Sequence, residues 1–392
     1  MDYQFSPEQV KRQQELAAFC RAEIAPRTQM LDRAPREEVG ACMRENLRNL
    51  ARGGWLAAGQ QGDTVDLVEA YQAGEEIAKA CPATFVSARA SAFLCAGALR
   101  LFGTPEQKER YIPPLLQAEM VGALAYSEAL AGSDLKAITT SACKDGDGWL
   151  LNGAKDIVVN APIADIILVL ACDNKSVSAE QGMSLFVIEK EAAGLDIGLP
   201  VETMGLRGVP IAAVSLSNCR PSGVLGGAAG QGYHQVQRLL TMGAVGIAAL
   251  CVGIGSACME IATCHAKTRA SFGKPIGLHQ DVGFKLADMF TITDLGRLLA
   301  LRAAWAINTG EHEADILAAC AKLFAGEAAT KVVDWGMQIF AGHGYLAGTE
   351  MERLYRDAKF GEICEGTSEI QRAFIAKNEL DRYGSLQSTP RA

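Results

Sequence analysis

A carboxylate near the C-terminus of this 392-residue chain stands where it could remove a proton. Glu365 lies within the run YRDAKFGEICEGTSEIQR, and Gly366 frees the backbone directly after it. Thr367 and Ser368 can cap the helix that the following periodicity predicts. A carboxylate on such a loop suits a reaction that takes a proton from the carbon next to a carbonyl group. The alternative is an ordinary, solvated loop glutamate.

The same run resembles the C-terminal signature of the acyl-CoA dehydrogenase family. In that family the glutamate of the EGTS turn is the catalytic base, so the resemblance implies this role for Glu365. It also implies that Gly366 contacts the substrate and that Thr367 and Glu369 contact the cofactor, FAD. The similarity extends over nearly the whole chain.

The segment AYSEALAGSD, residues 125–134, resembles the first signature of the family. Small residues let backbone amides approach a flavin ring, and hydroxyl groups can hold its polar edge or the phosphates. The resemblance implies that Ser127 and Ser133 bind FAD and that Ser133 also contacts the pantetheine arm of the substrate. Without the family match, this segment would be a plain Gly-Ser turn.

The segment LNGAKDIVVN, residues 151–160, resembles the NGxK strand of the family but departs from it at two cofactor-binding positions. Ile157 stands where a tryptophan is usual, and Val159 stands where a threonine is usual. Valine has no hydrogen-bond donor for the reactive nitrogen of the flavin. We expect an altered flavin potential, altered oxygen reactivity or a displaced ring, and the usual electron-exit surface is in doubt.

Two further segments, RASFGKPIG and QIFAGHGY, resemble stretches that contact the FAD of a neighbouring subunit. The implied cofactor-binding residues are Arg269, Phe272, Gln280, Gln338 and Gly342. A guanidinium group at Arg269 suits the pyrophosphate, although a solvated charge at a helix end is the alternative. The resemblance implies at least a dimer, and a homotetramer is usual in the family.

The segment TMGAVG departs from a family stretch that usually carries an aspartate and an arginine, here replaced by Thr241 and Ala244. Thr241 is still expected at the substrate. Some members place their base on this helix, but Gly243 and its neighbours supply no carboxylate, which leaves Glu365. Arg89 is a charge in an otherwise apolar stretch. We expect it on a subunit surface, with a carboxylate or polar group of the acyl chain as the alternative partner.

The predicted function is FAD-dependent α,β-dehydrogenation of an acyl-CoA thioester, with Glu365 taking the α-proton and the flavin taking the β-hydride. An electron-transfer flavoprotein is the acceptor that the family implies. The departures keep three alternatives open: an acyl-carrier-protein dehydrogenase, an acyl-CoA oxidase, and a non-catalytic relative. The glycine-rich segment 226–232 lacks the GxGxxG pattern and a surrounding βαβ unit, so no NAD site is expected.

The site residues must be positioned by helices and strands, and the predicted order of these elements indicates an α+β, acyl-CoA dehydrogenase-like fold. We predict an N-terminal helical domain (1–118), a middle β-domain (119–228), and a C-terminal four-helix bundle (229–392). The middle domain should be a β-barrel, with a sandwich as the alternative. Predicted strands cover 121–128, 139–144, 149–160, 164–172, 183–189 and 212–217; predicted bundle helices cover 233–268, 281–309, 313–340 and 367–382.

Composition bears on the partners, the metal content and the cellular compartment of the protein. The net charge of −8 and the absence of a basic block disfavour nucleic acid as a partner. Twelve cysteines without metal-ligand spacing suggest a reducing, cytoplasmic setting and no metal. Residues 242–259 mimic a membrane span, but a buried helix at the centre of a bundle is expected instead. Residues 1–5 show no signal peptide, and the tail 385–392 is expected to be frayed.

Overall fold

The computed structural model describes residues 5–62 and 64–382, so the expectation for the tail and most of that for the extreme N-terminus lie outside the described residues. The N-terminal region is helical, with one short hairpin of strands β1 (Gln60–Gln61) and β2 (Thr64–Val65). Its helices are α1 (Pro7–Phe19), α2 (Thr28–Arg33), α3 (Arg36–Arg52), α4 (Leu67–Ala80), α5 (Pro82–Ala88), α6 (Ala96–Phe102) and α7 (Pro105–Leu116). A π-helical segment, Arg89–Cys95, joins α5 to α6.

Local sequence explains where two of these helices begin. Ser6 accepts a hydrogen bond from the backbone of Gln9, whose side chain accepts one from the backbone of Ser6 in return. Thr104 and Gln107 form the same reciprocal pair at the start of α7. Proline occupies an early helical position in both cases, where its missing N–H is not needed.

The middle region is rich in strands, and each of the six predicted strands coincides with an observed one. The strands are β3 (Gly122–Ala125), β4 (Ser141–Asp145), β5 (Gly148–Val159), β6 (Ile166–Cys172), β7 (Met183–Glu189), β8 (Leu195–Ile197), β9 (Ile211–Cys219) and β10 (Gly223–Val224). They form one eight-stranded sheet in the order β10-β7-β6-β4-β5-β9-β8, with β3 parallel to β6. No pairing among the described residues joins the two ends of this order, so the observed domain is sheet-rich rather than a demonstrated barrel.

The C-terminal region is again helical, with one small hairpin of β11 (Ala270–Ser271) and β12 (Lys274–Pro275). Its helices are α8 (Gly232–Thr268), α9 (Gln280–Thr309), α10 (Ala314–Phe340), α11 (Glu350–Ala358), α12 (Phe360–Ile363) and α13 (Ser368–Arg382). The long helices α8, α9 and α10 pack against one another, and α13 packs on α10. These are the four helices that the sequence predicts for the bundle.

Helix α8 is the central element, and its small residues explain why. Gly253 lies so close to α4 that a Cβ atom there would be 2.7 Å from the Cβ atom of Ala78. Two runs, Pro82–Phe102 and Gly232–Thr268, are long and apolar enough to cross a bilayer, and the most apolar window of each is 83% buried in the structure. The expectation that 242–259 form a buried helix is confirmed.

Asn160 joins the N-terminal helices to the sheet at the end of β5. Its backbone is left-handed (φ 69°), and its side-chain amide donates to the carbonyl oxygens of Ser87 at 2.9 Å and Gly122 at 3.1 Å. The Ser87 hydroxyl donates to the Asn160 side-chain oxygen. One fully buried side chain therefore satisfies polar groups from two regions of the chain.

Replacing Asn160 should separate the side-chain and backbone contributions to this junction. Asn160→Gly keeps the left-handed backbone but leaves buried polar groups without partners, at a cost of about 2 kcal/mol in the free energy of unfolding. Asn160→Ala should cost about 1 kcal/mol more because alanine is strained at this φ. Chemical denaturation measures both, with the exposed Asn174→Ala as the control. Equal stability of all three variants and the parent would contradict this assignment.

Candidate active site

Glu365 lies on the turn between α12 and α13, and it is buried rather than solvated. Its backbone is left-handed (φ 54°), and Gly366 continues in the same region (φ 93°). A non-glycine residue pays about 1 kcal/mol or more for this conformation, so the surrounding contacts must hold it there. The side chain of Lys322 donates to the Gly366 carbonyl oxygen, and the Thr367 hydroxyl accepts from the backbone of Ile370.

The Glu365 carboxylate is held by a two-pronged ion pair with Arg89. Nη1 of Arg89 donates to Oε1 at 2.5 Å, and Nη2 donates to Oε2 at 2.6 Å. Nη2 also donates to the Gly243 carbonyl oxygen at 2.9 Å. Arg89 is buried at the start of the π-helical segment, so the expectation that it faces a subunit surface is wrong. The guanidinium group of Arg89 lies in an apolar helix, and its counter-charge is Glu365, 276 positions later in the sequence.

Two glycines of α8 make room for this ion pair. A Cβ atom at Gly243 would overlap the Glu365 carboxylate and lie 2.6 Å from Nη2 of Arg89. A Cβ atom at Gly246 would overlap Nε of Arg89. Sequence reasoning missed Arg89 as a site residue, and the signal was this pair of glycines one helical turn apart on α8.

The buried charges and their neighbours shift each other's acidity. Burial acts to lower the pKa of Arg89, but the Glu365 carboxylate outweighs it and holds that pKa above its usual value. Burial and then Glu365 raise the pKa of both Tyr126 and Cys364. Both groups are therefore neutral at physiological pH.

Glu365 opens onto a cleft between the sheet and the bundle with an empty volume of about 1300 Å³. Four of the predicted site residues line this cleft: Ser133, Thr241, Glu365 and Gly366. Tyr126, Ala244 and Gln371 line it as well. The predicted catalytic and substrate-binding residues are thus brought together by three segments that are distant in sequence.

Two further predicted cofactor-binding residues, Ile157 and Val159, lie on strand β5, next to the loop that carries Ser127. A β-bulge between Lys155 and Val158 bends β5 and turns Ile157 outward, with its side chain 63% exposed and its φ at 43°. Val159 is half-buried. The Ser127 carbonyl oxygen accepts a hydrogen bond from the backbone of Asp156 at 3.0 Å, which ties the first signature to the second.

The remaining predicted residues do not line this cleft. Arg269, Phe272, Gln280, Gln338 and Gly342 are exposed, and Phe272 is 93% accessible. They share one end of the bundle, where the His265 ring stacks on Phe340 at 4.2 Å. Thr367 is half-buried and Glu369 is exposed on the first turn of α13. Within one chain, the predicted FAD residues therefore form two separate groups.

A buried Lys155–Glu128 pair, also missed by sequence reasoning, fixes the loop that carries Ser127 and Ser133. Nζ of Lys155 donates to the carboxylate of Glu128 at 2.8 Å and to the Tyr126 carbonyl oxygen at 3.1 Å. Burial lowers the pKa of Lys155 to about 8. Burial acts to raise the pKa of Glu128, but hydrogen bonds from Lys155, Thr140 and Thr139 outweigh it and bring that pKa to about 2.

Family models match all three regions of the chain. They describe the acyl-CoA dehydrogenase N-terminal domain (residues 6–119), middle domain (123–219) and C-terminal domain (230–380). The chain belongs to the acyl-CoA dehydrogenase family. It is therefore an FAD-dependent oxidoreductase that acts on acyl-CoA thioesters.

Individual relatives agree with this assignment. The chain is 35% identical to a probable acyl-CoA dehydrogenase, YngJ, of Bacillus subtilis, over 97% of this chain and 100% of the relative. It is 38% identical to the short-chain specific acyl-CoA dehydrogenase of Sus scrofa, over 83% and 78%. A structure described as the electron transferring flavoprotein of Acidaminococcus fermentans superimposes with a TM-score of 0.89 at 31% identity, over 97% and 100%.

The cleft and the neighbouring bulge of β5 together fit FAD. The outward-turned Ile157 offers an apolar surface for a flat ring, and the exposed loop 132–134 offers a hydroxyl group and backbone amides beside it. Val159, in contrast, offers no donor to a ring nitrogen.

Glu128 should make stability depend on pH. Its folded pKa lies below its ordinary value of 4.5, so its contribution is complete above pH 4.5 and is lost as the pH falls towards 2. Glu128→Gln should lower the free energy of unfolding at pH 7 by about 3 kcal/mol because Lys155 keeps no buried counter-charge.

Denaturation of this variant and the parent between pH 7 and pH 2 measures the effect, and the difference between them should shrink at the acidic end. Glu180→Gln, which removes an exposed pair with Lys136, is the control and should change little. A difference that does not vary with pH would show that Glu128 is not the titrating group.

Proposed function

We propose that Glu365 is the base that removes the α-proton of the acyl-CoA thioester. The observation that carries this proposal is its burial. Asp134, Asp315 and Glu365 are the carboxylates that line the cleft among the described residues, and the first two are exposed. Asp134 caps the backbone of Lys136, and Asp315 faces Arg238 at 3.8 Å. A base that must work against a weakly acidic carbon needs a site without bulk water.

The ion pair leaves Glu365 able to accept a proton. Each carboxylate oxygen has two lone pairs, and Arg89 occupies one on each oxygen. The remaining lone pairs are available to receive the α-proton. Bound FAD supplies the acceptor for the β-hydrogen, which leaves as hydride.

The backbone of the same turn supports binding of the thioester carbonyl. The N–H group of Glu365 makes no hydrogen bond within the described part of the chain. The left-handed φ of Glu365 fixes the direction of this donor relative to its own side chain. A carbonyl oxygen bound there would be polarised, and polarisation is what makes the α-proton acidic enough for a carboxylate.

The cofactor is proposed to be shared between subunits. Apolar residues are exposed at the bundle end that carries the second group of predicted FAD residues, including Phe272, Leu278 and Tyr345. A large exposed apolar surface is typical of an interface. It supports a dimer in which Arg269 and Gln338 of one copy reach the FAD of the other, and the homotetramer usual in the family.

The electron acceptor and the compartment are proposals from resemblance and composition. An electron-transfer flavoprotein is the family default. The similarity to a structure described as an electron transferring flavoprotein adds support. All twelve cysteines are free thiols, which favours the cytoplasm.

Glu365→Gln tests the catalytic assignment. The variant keeps the shape of the side chain but has no basic oxygen, so flavin reduction by acyl-CoA should slow by about 10³-fold while FAD stays bound. Anaerobic stopped-flow absorbance with butyryl-CoA measures the rate, and the flavin spectrum reports cofactor content. Asp315→Asn, an exposed carboxylate of the same cleft, is the matched control and should react as the parent does.

Three other outcomes would contradict the role of Glu365 or identify a different enzyme class. Undiminished reduction in Glu365→Gln would overturn its role as base. A parent that reacts only with carrier-protein thioesters would identify the carrier-protein dehydrogenase, and one that reduces oxygen at every turnover would identify the oxidase.

A further inference from the structure

A second cavity lies on the far side of the Arg89–Glu365 pair from the cleft. It has an empty volume of about 590 Å³ and is bordered by α4, the segment 55–60, the helical run 82–102 and α8. Its walls are mostly apolar or aromatic, with Trp55, Tyr71 and Phe93 among them, and Gln60 adds one polar amide. Arg89 is the one charged side chain among the described residues that line it. We call it the apolar cavity.

The ion pair and one turn of α8 separate the two spaces. Glu365 and Ala244 line the cleft, whereas Arg89 and Gly246 line the apolar cavity. No described residue lines both. The two partners of a single ion pair therefore face opposite spaces, and the pair is the wall between them.

The cavity-facing side of Arg89 is not satisfied. Its Nε atom is buried without a hydrogen-bond partner and is the guanidinium atom next to Gly246. A buried N–H group without an acceptor is unfavourable, and hydrocarbon beside it does not improve it. Because the pKa of Arg89 stays above its usual value, the group keeps its charge.

We propose that Arg89 determines acyl-chain length by closing the apolar cavity to the acyl group. This inference rests on the proposed function, in which the α-carbon lies at Glu365. A chain of about four carbons ends near the base, in the cleft. A longer hydrocarbon chain must pass the ion pair, which requires separating two buried charges. The substrate class is therefore a short acyl thioester.

Binding of unreactive analogues tests this inference separately from turnover. S-butyl-CoA and S-octyl-CoA are thioethers without a carbonyl group, so Glu365 has no acidic proton to remove. Calorimetry with the FAD-loaded parent should show S-octyl-CoA binding no more tightly than S-butyl-CoA. In Arg89→Ala, S-octyl-CoA should bind at least about tenfold more tightly than in the parent, because four extra methylenes gain an apolar site.

Three further variants distinguish the loss of the barrier at Arg89 from a general loss of stability. Arg89→Lys keeps a charge at the wall and should keep the parent's preference. Adding Ala92→Leu to Arg89→Ala fills the apolar cavity and should cancel the gain for S-octyl-CoA. Arg353→Ala breaks another buried ion pair, with Asp357, that lines neither space; it should lower stability without changing the preference.

The possible failures are distinguishable. Tighter binding of S-octyl-CoA than S-butyl-CoA to the parent would overturn the inference, even if Arg89→Ala did not fold. So would a preference of the parent for a carboxylate-ended chain over a hydrocarbon of equal length, because Arg89 would then be an anchor. Flavin that no acyl-CoA bleaches would instead overturn the proposed function.

Discussion

A buried carboxylate needs a buried counter-charge, and this requirement organises the centre of the molecule. Glu365 sits on a strained turn between two helices, and Arg89 reaches it from the N-terminal region. The contact is possible because Gly243 and Gly246 leave space on α8. Three segments of the chain, one N-terminal and two C-terminal, therefore converge on one ion pair.

The sequence predicted the helices and strands well, and it predicted that Glu365 lies on a turn before a helix, because both are local signals. Capping boxes, alternating strands and the EGTS turn each span fewer than about twenty residues, and periodicity captures them. The partner of Glu365 could not be predicted in this way. Arg89 looked like a surface charge because an arginine among alanines carries no local sign of a carboxylate 276 positions away. The glycines that admit it lie on a third segment.

The departures from the family pattern are related in space. The family arginine of this part of α8 is missing at Ala244, and Arg89 places a guanidinium group beside Glu365 from a different helix. A positive charge beside Glu365 is therefore supplied by the N-terminal region. The bond to the Gly243 carbonyl oxygen keeps it against the same stretch of α8.

The central position of α8 also bears on how the chain unfolds. This 37-residue helix contacts α4, α9, α10 and strand β7, so it joins the cores of the two helical regions to one face of the sheet. The backbone amides in the middle of α8 do not become exposed to water when one region alone unfolds locally. They should exchange hydrogen only when the subunit as a whole unfolds, whereas the exposed bundle end around Phe272 can open locally. The three regions are thereby one cooperative unit.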